Sequence, residues 1–253
     1  MRPRRRRPAA LPVVLLVAAL VTGCTTTTLG TASPAPKGAS GTVTGPAIKR
    51  ALLDGPRLTT MLNQPFEAVP HFSHLGGAEL LDDRSGSPAE CVGVVFRMQR
   101  SDYQSADVKN IADEGWAHGG RAVKVDMVVE DVAALPTAGV AAALFAKLSD
   151  QWKRCDGTTM TDPSDIWSQN AISDVRVTDS VAAATVSRRA GEEHPILTAI
   201  PEAHALGVRG NCLVEVNVIF SPVSYPGDEG SADIATSAVD VAHAIMDRLD
   251  TAH

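Results

Sequence analysis

A short apolar run that ends at a cysteine constrains this chain more than any other feature of its sequence. Five arginines occupy positions 2–7, an apolar stretch covers residues 11–21, and Thr22 and Gly23 precede Cys24. These are the parts of an export signal in their usual order. The stretch has 11 residues, whereas a membrane-spanning helix needs roughly 20. We therefore expect the chain to be exported and to fold in a compartment where disulfides form.

The four residues Val21-Thr22-Gly23-Cys24 resemble a bacterial lipobox, in which the cysteine receives a diacylglycerol and becomes the mature N-terminus. We expect residues 1–23 to be a lipoprotein signal peptide and Cys24 to be lipidated, with acyl chains such as palmitate. Two acyl chains anchor a protein stably, whereas a single chain is marginal. The expected location is the extracytoplasmic face of the cell membrane. An ordinary signal peptide cleaved elsewhere is the alternative.

The segment after Cys24 predicts a flexible tether. Residues 25–45 are rich in Thr, Ser, Gly, Ala and Pro and nearly free of large apolar side chains, so they cannot bury enough surface to fold. These 21 residues have a root-mean-square reach of roughly 25 Å as a flexible chain. The predicted organisation is a signal peptide (1–23), a lipidated tether (24–45) and one folded domain (46–253).

The charge of the mature chain argues against one class of partner. Without residues 1–23 the chain has 18 basic and 29 acidic side chains, a net charge of −11. Such a surface repels nucleic acid and anionic lipid headgroups. We therefore expect no nucleic-acid partner, and we expect contact with the membrane through the lipid on Cys24 alone.

Apolar periodicity predicts an α+β domain. Alternating or β-branched stretches predict strands at 121–131, 171–177, 181–188, 196–208 and 212–220. Apolar residues at helical spacing predict helices at 54–62, 137–153 and 231–249, the first two capped by Asp54 and Thr137. The apolar stretch 90–99 predicts a short helix, with a strand as the alternative. Residues 63–89 are rich in proline and glycine and are predicted to be loop. Because short turns imply antiparallel pairing, we expect an antiparallel sheet flanked by two or more helices.

Three cysteines remain for the exported domain, so at least one thiol has no partner within the chain. We favour a disulfide between Cys91 and Cys155, because it ties the end of a long helix to an earlier segment. Cys212 is then a small buried residue of a strand. A bridge between Cys155 and Cys212 is the alternative that the sequence leaves open.

Three stretches carry a family resemblance: Pro88-Ala-Glu-Cys91, Gln151-Trp-Lys-Arg-Cys-Asp-Gly157 and Asn211-Cys-Leu-Val-Glu-Val-Asn-Val-Ile219. Together they resemble the PknH-like extracellular sensor domain, which occurs on a bacterial transmembrane Ser/Thr protein kinase and alone on lipoproteins. The resemblance covers most of residues 50–250. It implies an antiparallel sheet with flanking helices, a large cleft suited to a ligand, and no assigned reaction. It also implies two disulfides: Cys91 and Cys155 match the first, and Cys212 matches half of a second whose partner is missing.

Two residues are candidates for contact with a ligand. Trp116 lies among polar and small residues, where its indole can stack on a sugar or a lipid, and Asn217 is a polar residue inside an apolar strand. Core packing of Trp116, and satisfaction of Asn217 by a neighbouring loop, are the alternatives.

We expect neither a metal site nor a catalytic site. His71 and His74 have a spacing seen in zinc sites, but a glycine-rich loop does not fix their geometry, so we interpret them as surface histidines. The sequence contains no G-x-S-x-G elbow and no glycine-rich phosphate loop. We therefore expect no cofactor.

These patterns predict a lipid-anchored extracytoplasmic ligand-binding or sensor-type domain that does not catalyse a reaction. Its expected ligand is an unidentified small molecule or glycolipid of the cell envelope. A protein–protein adaptor that binds an envelope protein is the first alternative, and an envelope hydrolase is the second.

Overall fold

An antiparallel sheet of nine strands organises the computed structural model, which describes residues 42–223, 225 and 227–252. In chain order the strands are β1 (Phe66–Ala68), β2 (His74–Gly76), β3 (Asn110–His118), β4 (Val125–Ala134), β5 (Thr159–Thr161), β6 (Gln169–Val177), β7 (Val181–Arg189), β8 (Ile200–Arg209) and β9 (Cys212–Phe220). They lie in the order β1-β3-β4-β9-β8-β7-β6-β5, and β2 also pairs with β3. All of these pairs are antiparallel.

Helices cover both faces of this sheet, which confirms the predicted α+β class. In the described residues the α-helices are α1 (Pro46–Ala51), α2 (Gly55–Leu62), α3 (Val92–Val95), α4 (Arg100–Tyr103), α5 (Ala138–Cys155) and α6 (Ser237–Leu249). The predicted caps of two helices are confirmed. The side chain of Asp54 accepts a hydrogen bond from the N–H of Arg57 at the start of α2, and Thr137 accepts one from Val140 at the start of α5.

The two faces of the sheet are named here after the long helices that cover them, the α6 face and the α5 face. On the α6 face, Val214, Val216 and Val218 of β9 lie in one apolar core with Val241 and Ile245 of α6. Helices α1 and α2 contribute to the same core. Much of this face is therefore covered by the packing of α1, α2 and α6.

The α5 face is only partly apolar. Leu148 and Trp152 of α5 lie in a second core with Leu206 of β8 and Leu213 of β9. Side chains alternate between faces along each strand, so β9 continues on this face with Glu215 and then with residues 217 and 219. A binding site is therefore best sought in the polar half of the α5 face.

A disulfide joins Cys91 to Cys155, so the favoured pairing is confirmed and the alternative bridge between Cys155 and Cys212 is wrong. The bridge connects the last residue of α5 to the residue before α3. Cys212 is unpaired and fully buried in the core of the α6 face.

Several parts of the chain differ from their predictions. The helix predicted at 90–99 is an α-helix only at Val92–Val95, and the strand predicted at 121–131 is Val125–Ala134. Strand β3 was not predicted, because the small residues Ala112 and Gly115 and the acidic residues Asp113 and Glu114 interrupt any apolar alternation in its sequence. Residues 63–89 were predicted to be loop, but they contain the three-residue strands β1 and β2, which pair with β3. Helix α6 begins at Ser237 rather than at residue 231.

The folded part of the chain also includes residues that were assigned to the tether. Val43 is buried, and its N–H donates a hydrogen bond to Asn211 Oδ1 at 2.8 Å. The N–H of Gly45 donates one to Asn110 Oδ1 at 2.9 Å. Because Asn211 lies between β8 and β9, the chain enters the domain at the end of the sheet where β8 turns into β9.

Loss of the disulfide should destabilise the domain strongly. The bridge closes a loop of 64 residues, and a loop of this length is expected to contribute about 4 kcal/mol through the entropy of the unfolded chain. We expect Cys91→Ala combined with Cys155→Ala to lower the free energy of unfolding in urea by about this amount. Cys212→Ala, which keeps the bridge, is the control and should lose much less. Equal stabilities of the double variant and the wild type would contradict the prediction.

Candidate functional site

A cleft opens in the polar half of the α5 face. Its volume is about 130 Å³. The residues that line it are Phe72, Asp82, Val95, Phe96, Arg97, Met127, Val129, Arg188, Glu202, Asn217 and Ile219. Strands β4 and β9 form an apolar floor of Met127, Val129 and Ile219 that is interrupted by Asn217. The segment that follows α3 forms one wall, and the ends of β7 and β8 form the opposite wall.

Arg97 is the polar side chain that the first wall presents to the cleft. Its guanidinium lies over the ring of Phe72, 5.1 Å from the ring centroid, and its Nε is 3.1 Å from Asp131 Oδ2. The N–H is not directed at this oxygen, so Asp131 Oδ2 accepts no hydrogen bond in the described structure. The guanidinium of Arg97 is thus held in place by stacking and by an ion pair, and 20% of the side chain stays exposed.

Arg188, on the opposite wall, is fully engaged by protein groups. It donates hydrogen bonds to Asn170 Oδ1 at 3.2 Å, to Glu202 Oε1 at 3.5 Å and to Asp165 Oδ2 at 2.9 Å. Glu202 Oε2 in turn lies 2.9 Å from His204 Nε2. This network fixes the wall and engages each of the three guanidinium nitrogens of Arg188.

Phe96 is enclosed between two guanidinium groups at the mouth of the cleft. Arg84 lies 4.4 Å from its ring centroid and Arg188 lies 5.5 Å from it. Arg84 also pairs with Asp162 and Asp165 at 2.8 Å. Because both guanidinium groups pack against its ring, Phe96 holds the two arginine side chains in position at the mouth of the cleft.

A buried carboxyl group sets the position of the Arg97 wall. Glu215 of β9 accepts hydrogen bonds from the hydroxyl of Tyr103 and from the N–H of Met98. Met98 has a φ of 50°, a left-handed conformation that is uncommon for a residue other than glycine. The hydrogen bond from its N–H therefore helps to hold the chain in the bend that directs Arg97 into the cleft.

Burial strongly perturbs the acidic groups beneath the cleft. Desolvation raises the pKa of Glu215 to about 8, against the opposing effect of its hydrogen bond from Tyr103. Desolvation also raises the pKa of Asp131 to about 7, against the charge of Arg97. Asp131 and Glu215 are direct neighbours on β4 and β9. Burial favours the neutral form of both carboxyl groups, while Arg97 favours the charged form of Asp131.

The structure places the two predicted ligand contacts on opposite faces of the sheet. Asn217 lies in the cleft. Trp116 lies on the α6 face, partly buried against the core, and its ring packs so closely on Gly55 that a side chain there would contact it. The indole Nε1 of Trp116 is buried without a hydrogen-bond partner in the described structure. No ligand contact has been tested for either residue, so both assignments stay predictions.

The histidines of the predicted loop have separate surroundings. His71 stacks on the ring of Phe72 at 4.5 Å, and His74 Nδ1 lies 3.0 Å from Asp113 Oδ1. In the described ranges no group of three or more His, Cys, Asp or Glu side chains is arranged to hold a metal ion. Ser73 Oγ donates to Glu114 Oε1 at 3.2 Å, so the neighbouring serine and histidine bind different acids.

Sequence reasoning did not identify Arg97, although a signal was present. Arg97 is the single charged residue in the apolar run from Val92 to Met98, and a charge in a buried segment usually has a specific partner. The sequence around Phe72 does not predict a place in the cleft, because the position of Phe72 over the sheet depends on the short helix at Pro70–Phe72 and on Gly115 beneath it.

The disulfide, the antiparallel sheet with its flanking helices and the cleft on one face define a disulfide-linked α+β domain. The chain belongs to the family of PknH-like extracellular domains, whose family model matches residues 43–248. Membership of this family, which is not a known class of enzyme, fits a location outside the cytoplasm. Nowhere in the described ranges is a helix both long and apolar enough to cross a bilayer.

One solved structure supports the fold, and a second is a weaker match. The crystal structure of the extracellular domain of PknH from Mycobacterium tuberculosis matches with a TM-score of 0.64 and 18% identity, over 83% of this chain and 98% of that chain. An uncharacterized protein from Mycobacterium smegmatis matches with a TM-score of 0.41 and 10% identity, over 81% of this chain and 95% of that chain. No curated protein matches the sequence at a significant level.

A buried carboxyl group on the α6 face should make the stability of the domain depend on pH. Glu130 is fully buried, its Oε2 accepts a hydrogen bond from the N–H of Leu53 at 2.8 Å, and desolvation raises its pKa to about 8. Between pH 4.5 and 8 the unfolded chain releases this proton while the folded chain keeps it. Stability contributed by the protonated group is therefore lost as the pH rises through this window.

We expect Glu130→Gln to gain stability relative to the wild type as the pH rises from 4.5 to 8, by at least about 1 kcal/mol. The glutamine keeps an oxygen for Leu53 and cannot ionise. Urea denaturation at pH 5 and pH 8 measures the difference, with the exposed Glu192→Gln as the matched control. A difference between Glu130→Gln and the wild type that is the same at both pH values would refute the raised pKa.

Proposed function

We propose that this chain is a lipid-anchored, extracytoplasmic ligand-binding or sensor-type domain that acts without catalysis. The proposed organisation is a signal peptide (1–23), a tether that begins at a lipidated Cys24, and the folded domain. The observation that carries the proposal is the cleft, where polar side chains converge on an apolar floor formed by the two central strands. Binding sites for small ligands commonly combine such features.

The proposed ligand is a small molecule or glycolipid of the cell envelope. Membership of a family of extracellular domains supports a ligand met outside the cytoplasm. The cleft is smaller than the roughly 300–1,000 Å³ typical of sites that enclose a drug-sized ligand, since its volume is about 130 Å³. This size favours a ligand of which one compact group enters the cleft while the remainder lies outside.

Native mass spectrometry of the protein purified from its own envelope tests ligand binding. We expect the wild type to carry additional non-covalent mass, and Asn217→Phe, which fills the cleft, to lose it. Trp116→Phe is the matched control on the opposite face and should keep the mass. Repeated preparations of the wild type without additional mass would contradict the proposal. Loss of the mass in Trp116→Phe alone would move the ligand to the α6 face.

Lipidation of Cys24 makes a separate prediction. We expect Cys24→Ser to move the protein from the membrane fraction to the soluble extracytoplasmic fraction, because a serine cannot accept the thioether-linked diacylglycerol. Cell fractionation and intact-protein mass spectrometry measure the change, and Cys212→Ser, which alters a thiol inside the domain, is the control. Membrane association that survives Cys24→Ser, together with an unacylated wild-type mass, would refute the lipid anchor.

A second candidate function, docking to an envelope protein, is favoured by exposed apolar residues on the loops after β5, β7 and β9. These three loops lie at the end of the sheet opposite the entry of the chain near Asn211. They carry large, exposed apolar side chains: Ile166, Ile196, Leu197, Val223 and Tyr225. Ile196 is 91% exposed.

Strands of nine or ten residues span about 30 Å, whereas the proposed tether reaches roughly 25 Å. These lengths favour a position of the apolar loops away from the bilayer. A protein is therefore a better candidate partner for the loops than the membrane that anchors the chain. A wild-type protein that carries no ligand mass, and that crosslinks through residue 196 to an envelope protein, would make docking the better account.

A further inference from the structure

Three polar side chains of the cleft have hydrogen-bonding groups that the described residues leave unused. Arg97 makes an ion pair through Nε, and no hydrogen bond from its two terminal nitrogens occurs in the part of the chain that the structure describes. The side-chain amide of Asn217 likewise has no such bond there. Asp82 Oδ1 accepts only the N–H of the adjacent Asp83, at 2.8 Å. The cleft therefore offers unused donors and unused acceptors together.

The charges of these unused groups nearly cancel. Arg97 supplies one positive charge, which its ion pair with Asp131 already opposes in part. Asp82 supplies one negative charge, and Asn217 is neutral. On the opposite wall, the charge of Arg188 is already opposed by Glu202 and Asp165. An anion bound at Arg97 would also lie near the carboxyl groups of Asp82 and Asp131, and a cation would lie near two guanidinium groups. A neutral ligand avoids both the repulsion between an anion and the two carboxyl groups and the repulsion between a cation and the two guanidinium groups.

The shapes of the unused groups favour a ring that carries several hydroxyl groups. A guanidinium is planar and holds its N–H donors in a fixed fork, and an amide presents a donor and an acceptor side by side. Adjacent hydroxyl groups, each both donor and acceptor, match these pairs. The floor of Met127, Val129 and Ile219 is apolar, which suits the C–H face of such a ring.

We propose that the cleft binds one neutral sugar ring, with Arg97 and Asn217 hydrogen-bonded to its hydroxyl groups and its apolar face on Met127 and Ile219. This inference rests on the proposed ligand-binding function and names the chemistry of its ligand. The ring can come from the head group of a glycolipid or from a free sugar. Arg97, which stacks on Phe72, is the residue expected to select the sugar.

Nuclear magnetic resonance of the folded domain tests this inference with defined probes. The side-chain amide signals of Asn217 are identified by their absence in Asn217→Leu. We expect octyl β-glucoside, below its micelle concentration, to shift these signals, and octyl phosphate at the same concentration to leave them unchanged. Methyl β-glucoside separates the two sources: a shift of equal affinity indicates a free sugar, whereas a much weaker one indicates a glycolipid head group.

Variants then assign the contacts. Arg97→Met removes the donors and keeps much of the apolar stem, and we expect it to weaken the binding of octyl β-glucoside by at least about tenfold, because a hydrogen bond from a charged donor is lost. Arg154→Met, an exposed change of the same kind on α5, is the matched control and should bind as the wild type does. Retained signal dispersion in each spectrum shows that the variant is folded.

Other results would overturn the inference without removing the proposed function. Tighter binding of octyl phosphate than of octyl β-glucoside would identify the cleft as an anion site. Unchanged affinity in Arg97→Met would remove the assigned contact. If the wild type carries a co-purified ligand that Asn217→Phe loses, but neither glucoside shifts the Asn217 signals, ligand binding stands and the sugar assignment fails. If the wild type carries no co-purified mass and neither glucoside shifts the Asn217 signals, the sugar assignment and the proposed ligand-binding function are both refuted.

Discussion

Burial of the central strands β4 and β9 on both faces is the constraint on which the rest of the structure depends. A polar side chain on such a strand must find a partner, because an unpaired polar group in the interior costs free energy. Glu130 and Glu215 find backbone N–H groups of segments that lie over the sheet, at Leu53 and Met98. The polar residues of the two strands thereby fix the segments that cover them.

This constraint links stability to the site. The segment from Cys91 to Met98 is fastened at one end by the disulfide to α5 and at the other end by the hydrogen bond from Met98 to Glu215. Arg97 lies next to the second attachment. A side chain on a segment held at both ends loses little further freedom when it binds, which favours affinity. The crosslink therefore contributes to the geometry of the cleft as well as to the stability of the domain.

Local patterns in the sequence were sufficient to predict those helices and strands that depend on one continuous stretch of residues. The cap at Thr137 and the apolar stripe after it predicted α5, and the β-branched run after Cys212 predicted β9. The site was harder to predict, because Arg97 acquires its surroundings from Phe72 and Asp131, which lie on other elements. Strand β3 was missed for a related reason: its small residues suit a crowded position between β2 and β4, and only the pairing reveals that role. Asn217 could be singled out, since a polar residue in an apolar strand is visible without its neighbours.

The division of the sheet into two faces allows the fold to persist while the residues of the cleft change. The α6 face is an apolar core in which substitutions are limited by packing, and Trp116 belongs to it. The cleft on the α5 face is lined by partly exposed side chains such as Arg97 and Asn217, whose replacement leaves that core intact. At 18% identity to the extracellular domain of PknH, the shared fold carries no information about these two positions. The proposed ligand is therefore inferred from the residues of this cleft, where unused donors and acceptors of nearly cancelling charge favour a neutral partner rich in hydroxyl groups.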